Sequence, residues 1–190
     1  IGAFTFKKGV YSEVEHDASF TQTAWMLVAV VAFLNQLGAQ AGFITTEGPI
    51  RWLMAAVVWA VFSVLGFAFG AFVIAWLGKT MFKADVSFEE VVRTLGLAYV
   101  WNIIGIVGLL SAILPVLACL LAPATFAAAI AGLVAWFIAV KEALDLEWMQ
   151  TIIVVVVGWI VSFLVSAVAG IILGILGFTA AGIGGLFSQG

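Results

Sequence analysis

His16 is the only histidine in the chain, and Glu13 stands three residues before it. Glu-x-x-His is the spacing by which one helix offers a carboxylate and an imidazole to a metal. Di-iron bundles use two such motifs on facing helices, joined by further glutamates. Here the motif occurs once, with Glu15 and Asp17 beside it, in a polar stretch at the edge of an apolar chain. The expectation is a solvated interfacial helix with no metal site. A single histidine cannot supply both axial ligands of a bis-histidine haem. The chain has no phosphate-binding P-loop, no Gly-x-Gly-x-x-Gly after a strand and no Ser/His/Asp set that could meet. The glycines of GFTAAGIGG are not followed by a lysine. No nucleophile–base pair emerges, so neither catalysis nor a cofactor is expected. Seven basic residues are too few for a nucleic-acid surface. Cys119 lies alone in an apolar run, which allows no internal disulfide and points to packing.

The remaining polar chemistry is concentrated in one stretch, Gly78 to Asn102. It holds Lys79, Lys83 and Arg93 and a helix-start signal. Ser87 followed three residues later by Glu90 predicts a capping box, with Val86 and Val91 at the positions of a hydrophobic staple. Glu89 and Arg93 stand four apart with the acid first, the better order for a helical ion pair. This is a helix entering a membrane from a charged side.

Composition requires the membrane. Of 190 residues, 65% are apolar and 9% charged, and the mean hydropathy is +1.28. Soluble domains are about a quarter charged. The fold class expected is all-α, a polytopic integral membrane bundle of about five transmembrane helices within 20–177. Residues 1–19 form a cytoplasmic or interfacial segment, and 178–190 a glycine-rich tail. The first ten residues, IGAFTFKKGV, lack the apolar core of a signal peptide.

The spans follow from apolar runs and their punctuation. Ser12 with Glu15 predicts a short interfacial helix with Tyr11 and Val14 toward lipid, and Ser19 with Gln22 predicts the cap of the first span. That span covers about Phe20–Ala41, with Trp25 as an interface anchor. Pro49 fits the first turn of the second span, about Ile50–Leu77. The third crosses from about Thr94 to Leu114 and ends at Pro115. Residues 115–123 stay open as a continuation, a kink or a re-entrant piece. The fourth runs from Ala124 to Val140. The fifth runs from Trp148 to Gly177, with Asp145 as a candidate cap.

With five spans, six of the seven basic residues share one side, and only Arg51 lies opposite. The positive-inside rule makes the basic side cytoplasmic, with the N-terminus inside and the C-terminus on the opposite side. A prokaryotic plasma membrane is the expected location. Nine of the ten acids share that side, Glu47 excepted. Within the spans the polar residues are neutral amides, Asn35, Gln36 and Asn102, expected to hydrogen-bond between helices. Small-residue ridges provide close packing: Gly66 and Gly70 in the second span, Ala127 to Ala139 in the fourth, and Gly158, Ser162, Ser166, Gly170 and Gly174 in the fifth. Such ridges serve either the monomer or an interface with a second copy or partner.

Three polar segments carry a family resemblance: YSEVEHDASFTQTA (Tyr11 to Ala24), FEEVVRTLGLAYV (Phe88 to Val100) and KEALDLEWMQT (Lys141 to Thr151). They stand before the first, third and fifth spans. In sequence and spacing the chain resembles the prokaryotic branch of the Yip family over about residues 11–177. Arg93 to Tyr99 is the most specific part, with Gly96, Leu97, Ala98 and Tyr99 at the family's Gly-Tyr region. The family is named for interaction of its eukaryotic members with Ypt/Rab GTPases. The resemblance implies five spans, a cytoplasmic N-terminus and a role in membrane traffic or shaping without catalysis. The Asp-Leu-Tyr-Gly-Pro motif of eukaryotic members does not occur in these residues.

The function expected is a non-enzymatic membrane scaffold or adaptor. Its face would comprise Lys79, Lys83, Glu89, Glu90, Arg93 and Tyr99, presented to a protein partner or to lipid headgroups. The alternatives are an accessory subunit of a larger respiratory or photosynthetic complex and a small-solute permease or channel. The bilayer is a partner in every case, with a protein partner or homo-oligomer expected beside it.

Overall fold

The structure, a computed structural model, describes residues 9–114 and 116–175. Among those residues the regular secondary structure is all helical. Four helical segments are long and apolar enough to cross a membrane, namely Phe20–Ala39, Pro49–Phe82, Phe88–Ala112 and Val116–Leu144. The last helix, Trp148–Ile175, is apolar over its part up to Val161. A helical membrane bundle is therefore the fold.

A short helix α1 (Val10–His16) precedes α2 (Phe20–Ala39), and a turn of helix, α3 (Gly42–Thr46), leads to α4 (Pro49–Phe82). Pro49 opens α4 as expected, with Gly48 before it at φ 90°, a left-handed angle that suits glycine. α4 has 34 residues, longer than the second span as read from the sequence, and extends about 51 Å at 1.5 Å per residue. It outruns a ~30 Å hydrocarbon layer, so it tilts or projects. Lys79 and Lys83 stand at its C-terminal end.

α5 (Phe88–Ala98) begins as predicted. The Glu90 amide donates to the Ser87 hydroxyl at 3.2 Å, and the Ser87 amide donates to the Glu90 carboxylate. Val86 and Val91 are both buried. The third span then departs from expectation. A 3₁₀ segment, Tyr99–Val107, follows, and α6 (Gly108–Ile113) completes it. Nine residues is long for a 3₁₀ helix, which has three residues per turn and about 2 Å rise. Tyr99, Asn102, Gly105 and Gly108 recur every third residue, so this winding lines them up on one side. A uniform α-helix would scatter them.

α7 (Val116–Leu144) begins before Pro123, so residues 116–123 form its first turns and the fourth span starts earlier than Ala124. Pro115 lies outside the described residues. Three expected caps are replaced. Ser12 and Glu15 form no box, because α1 starts at Val10 with Gly9 ahead of it. The Ser19 amide and hydroxyl both donate to Asp17, at 3.0 and 2.6 Å, and Ser19 itself caps nothing. Asp145 closes α7 and does not open α8 (Trp148–Ile175). It sits at φ 49°, and the amides of Asp145 and Leu146 donate back to Glu142 and Lys141. Gln150 reaches back to the Glu147 amide at the head of α8.

The core is built from small and β-branched side chains. Ala24 and Val28 of α2, Val91, Val92 and Leu95 of α5, Ala135, Ala139 and Val140 of α7, and Val154 and Val155 of α8 are all fully buried. Residues 91–96 are buried without a break, so α5 is enclosed on every side. In lipid, helix association relies on such close contact, because apolar side chains gain little by leaving lipid for protein. Large apolar side chains instead face outward, as Phe62, Leu65, Phe72 and Trp76 do on α4.

Candidate functional site

The charged end of the bundle is assembled from α1, the end of α4, the 83–87 loop, the start of α5 and the α7–α8 turn. Arg93 is at its centre, and it is buried at 6% exposure. Its Nε donates to the main-chain carbonyl of Glu15 at 2.9 Å, and Nη2 donates to the same oxygen. Nη1 donates to the Thr21 hydroxyl at 3.2 Å. Glu15 lies in the last turn of α1, where carbonyls have no partner within the helix. The guanidinium supplies that partner and places positive charge at the negative end of the helix. Arg93 thus fastens α1 across α5 and α2. The expected pairing with Glu89 does not form. Glu90 is the nearest carboxylate, at 3.9 Å, because the side chain turns inward toward α1.

Other α1 residues follow. Tyr11 is 3% exposed and belongs to the core, contrary to the lipid-facing position read from the sequence. Burial pushes its phenol up to about 12, and its hydroxyl has no hydrogen-bond partner among the described residues. The Glu15 side chain is also buried. Burial raises its carboxyl above the usual range, and the carboxylates of Asp145, Glu90 and Glu142 add to this, while His16 opposes it. His16 Nδ1 donates to the Ser12 main-chain carbonyl, 2.9 Å away. Among the described residues, no three His, Cys, Asp or Glu side chains converge as metal ligands would.

What faces outward is a mixed surface. Lys79, Lys83, Asp85, Glu89, Asp145 and Glu147 are exposed. Lys141 is half-buried, with its ammonium 5.8 Å from the centre of the Trp148 ring and 4.0 Å from Glu142. A shallow depression runs from Lys141 through Asp145 to Met149. Of the residues expected on the partner face, Lys79, Lys83 and Glu89 are on it and Glu90 is at its edge. Arg93 and Tyr99 are not. Tyr99 is half-buried in the span, its ring edge-on to Phe67 at 5.3 Å.

Inside the membrane Asn35 and Gln36 join helices as expected, whereas the Asn102 carboxamide donates back to the Tyr99 carbonyl of its own segment. Gln36 donates to Ser63 of α4 at 3.1 Å, and Gln40 donates to Gln36 at 3.1 Å. Asn35 donates to the Asn102 main-chain carbonyl at 2.6 Å. Trp25 packs edge-on against Phe67 at 5.8 Å, so it is part of the bundle and not only an interface anchor.

The glycines that make close contact differ from those in the ridges. A Cβ at Gly38 would lie 1.9 Å from the Gly105 carbonyl oxygen. One at Gly108 would lie 2.5 Å from the Gly38 oxygen, and one at Gly78 would meet Leu144 at 2.7 Å. Among the described residues, Gly66 and Gly70 have nothing within 4 Å of that position. Gly158 looks toward Ile74 and Leu77 at 3.7 and 3.8 Å. The surroundings of Ser162, Ser166, Gly170 and Gly174 lie outside the described residues. The sequence signal for the tight crossing was the three-residue repeat Asn102, Gly105, Gly108, which an α-helical reading passes over.

The family model described as the Yip1 domain matches residues 1–170. Comparison with curated proteins and with solved structures finds no match. With apolar helices of membrane-spanning length and a family match over most of its length, the chain is an integral membrane protein belonging to the Yip1 domain family.

Proposed function

We propose that the protein is a non-enzymatic membrane scaffold that offers the charged end of its bundle to a protein partner on the cytoplasmic side. The observation that carries this reading is the division of the polar residues. Arg93, Tyr11 and Glu15 are turned inward and fix α1 in place, while Lys79, Lys83, Asp85, Glu89, Asp145 and Glu147 stay exposed around them. The result is a preorganised surface of both charge signs on a rigid support. Mixed charge suits a protein surface, where complementary potentials select the partner and speed the encounter. An anionic lipid surface would favour clustered lysine and arginine without the interleaved acids. Membership of the Yip1 domain family agrees with this reading, and the larger share of lysine and arginine on this side of the chain supports a cytoplasmic orientation.

The test is charge reversal on the exposed lysines alone. A Lys79→Glu/Lys83→Glu double variant is expected to lower recovery of the partner from native membranes about tenfold, the effect of ~1.4 kcal/mol. Membrane insertion should be unchanged, since both side chains are exposed. Recovery equal to wild type overturns the proposal.

A further inference from the structure

Asn102 is an exposed carboxamide deep in a membrane span. Counting 1.5 Å per residue through α5 and 2 Å through the 3₁₀ segment, it lies ~24 Å along a span of ~42 Å. Its Nδ2 donates to the Tyr99 carbonyl at 3.1 Å, and its Oδ1 has no donor among the described residues. Asn35, half-buried beside it, donates to the Asn102 carbonyl, and its own Oδ1 is likewise without a donor. Hydrocarbon supplies no hydrogen bond, and polar groups inside membranes face protein or water-filled space for that reason. Lipid headgroups are too far away to serve.

We propose that this face docks a second copy of the chain, with the Asn35 and Asn102 carboxamides of the two copies paired across a two-fold axis. The chemistry favours self-association over any apolar occupant. Each carboxamide carries two N–H groups and one carbonyl. After the two bonds described, each copy has two N–H groups and two side-chain carbonyls left. The set is balanced, so it complements itself. A two-fold interface brings the same patch against itself, and every remaining donor then finds an acceptor. A helix without its own amide, or an acyl chain, leaves all four groups unpaired. Interhelical amide bonds of this kind hold transmembrane helices together. The inference is independent of what binds the charged end, so either can fail alone.

The test is association in liposomes, read as subunit counts by single-molecule photobleaching over a range of protein-to-lipid ratios. Wild type is expected to be dimeric, and Asn102→Val to weaken association about tenfold. A second measurement avoids reliance on that variant's packing. In a Cys119→Ser background, Asn102→Cys should form an oxidative dimer at the highest protein-to-lipid ratios, where an interface weakened about tenfold is still occupied. Phe126→Cys, on the exposed flank of α7, should not. A wild-type monomer at every ratio overturns the proposal, as does unchanged affinity in Asn102→Val. So do absence of the Asn102→Cys cross-link, or equal cross-linking at Phe126→Cys. A monomer that instead captures a different transmembrane protein at Asn102 also overturns it.

Discussion

Gly38→Ala is expected to destabilise the bundle by about 3 kcal/mol, whereas Gly66→Ala should be neutral or slightly stabilising. The added methyl at Gly38 would lie 1.9 Å from the Gly105 carbonyl oxygen and 2.9 Å from the Ile106 Cα. Both are backbone atoms, so no side-chain rotation relieves the overlap. α2 and the 3₁₀ segment must separate, which also stretches the Asn35 bond to the Asn102 carbonyl. Overpacking costs typically about 1–3 kcal/mol, and a rigid neighbour puts this case at the top of that range. Alanine's better helix propensity, worth about 1 kcal/mol over glycine, acts in the opposite direction and is outweighed. At Gly66 the same methyl meets nothing within 4 Å among the described residues, so only the propensity gain remains. Equilibrium denaturation in detergent, run on both variants, reads the two signs. Equal behaviour would remove the tight crossing from the account.

Arg93→Met should release α1 while leaving the rest of the bundle intact. Hydrogen bonds from a charged donor contribute about 1.5–3 kcal/mol each, and the three made by Arg93 share one side chain and so are not additive. A net loss of ~3 kcal/mol in α1 docking is about a hundredfold in the docked–undocked equilibrium. Hydrogen exchange at the amides of α1 is the readout. Protection there should fall about a hundredfold, with α7 and α8 unchanged. Arg93→Lys should recover only part of it. An ammonium is a compact donor that cannot reach the Glu15 carbonyl and the Thr21 hydroxyl with the same fork. Unchanged α1 protection in Arg93→Met would show that burial of Tyr11 alone holds the helix.

These two sites mark what the sequence could and could not reveal. The Ser87–Glu90 box and the Pro49 helix start were legible because each is a local signal acting within four residues. The amide contacts of Asn35 and Gln36 were legible as a type, since a neutral amide in a span needs a partner. Which partner each takes is a tertiary fact. Arg93 was misplaced for a related reason. In sequence it stands four residues from Glu89 on a charged helix end, and the i,i+4 pair is the simplest local satisfaction. The carbonyl at the end of α1, 78 residues away, offers a buried alternative that no local pattern displays. The 3₁₀ segment was hidden because apolar span residues look the same in either winding. Only the three-residue spacing of Asn102, Gly105 and Gly108 distinguishes them. Gly66 and Gly70 fit a packing motif in sequence, and among the described residues no side chain or backbone closes on them. A motif states that close approach is possible, and the neighbouring helix determines whether it happens.

Site-specific photo-cross-linking in native membranes tests most directly whether the charged end is a protein-docking surface. A photoreactive residue is placed in turn at Lys79, Lys83 and Glu147, with Phe126 on the apolar flank as the comparison position. A protein adduct of one defined mass is expected at the charged-end positions and none at Phe126. Lipid adducts alone at all three charged-end positions, or no adduct at any of them, would contradict it.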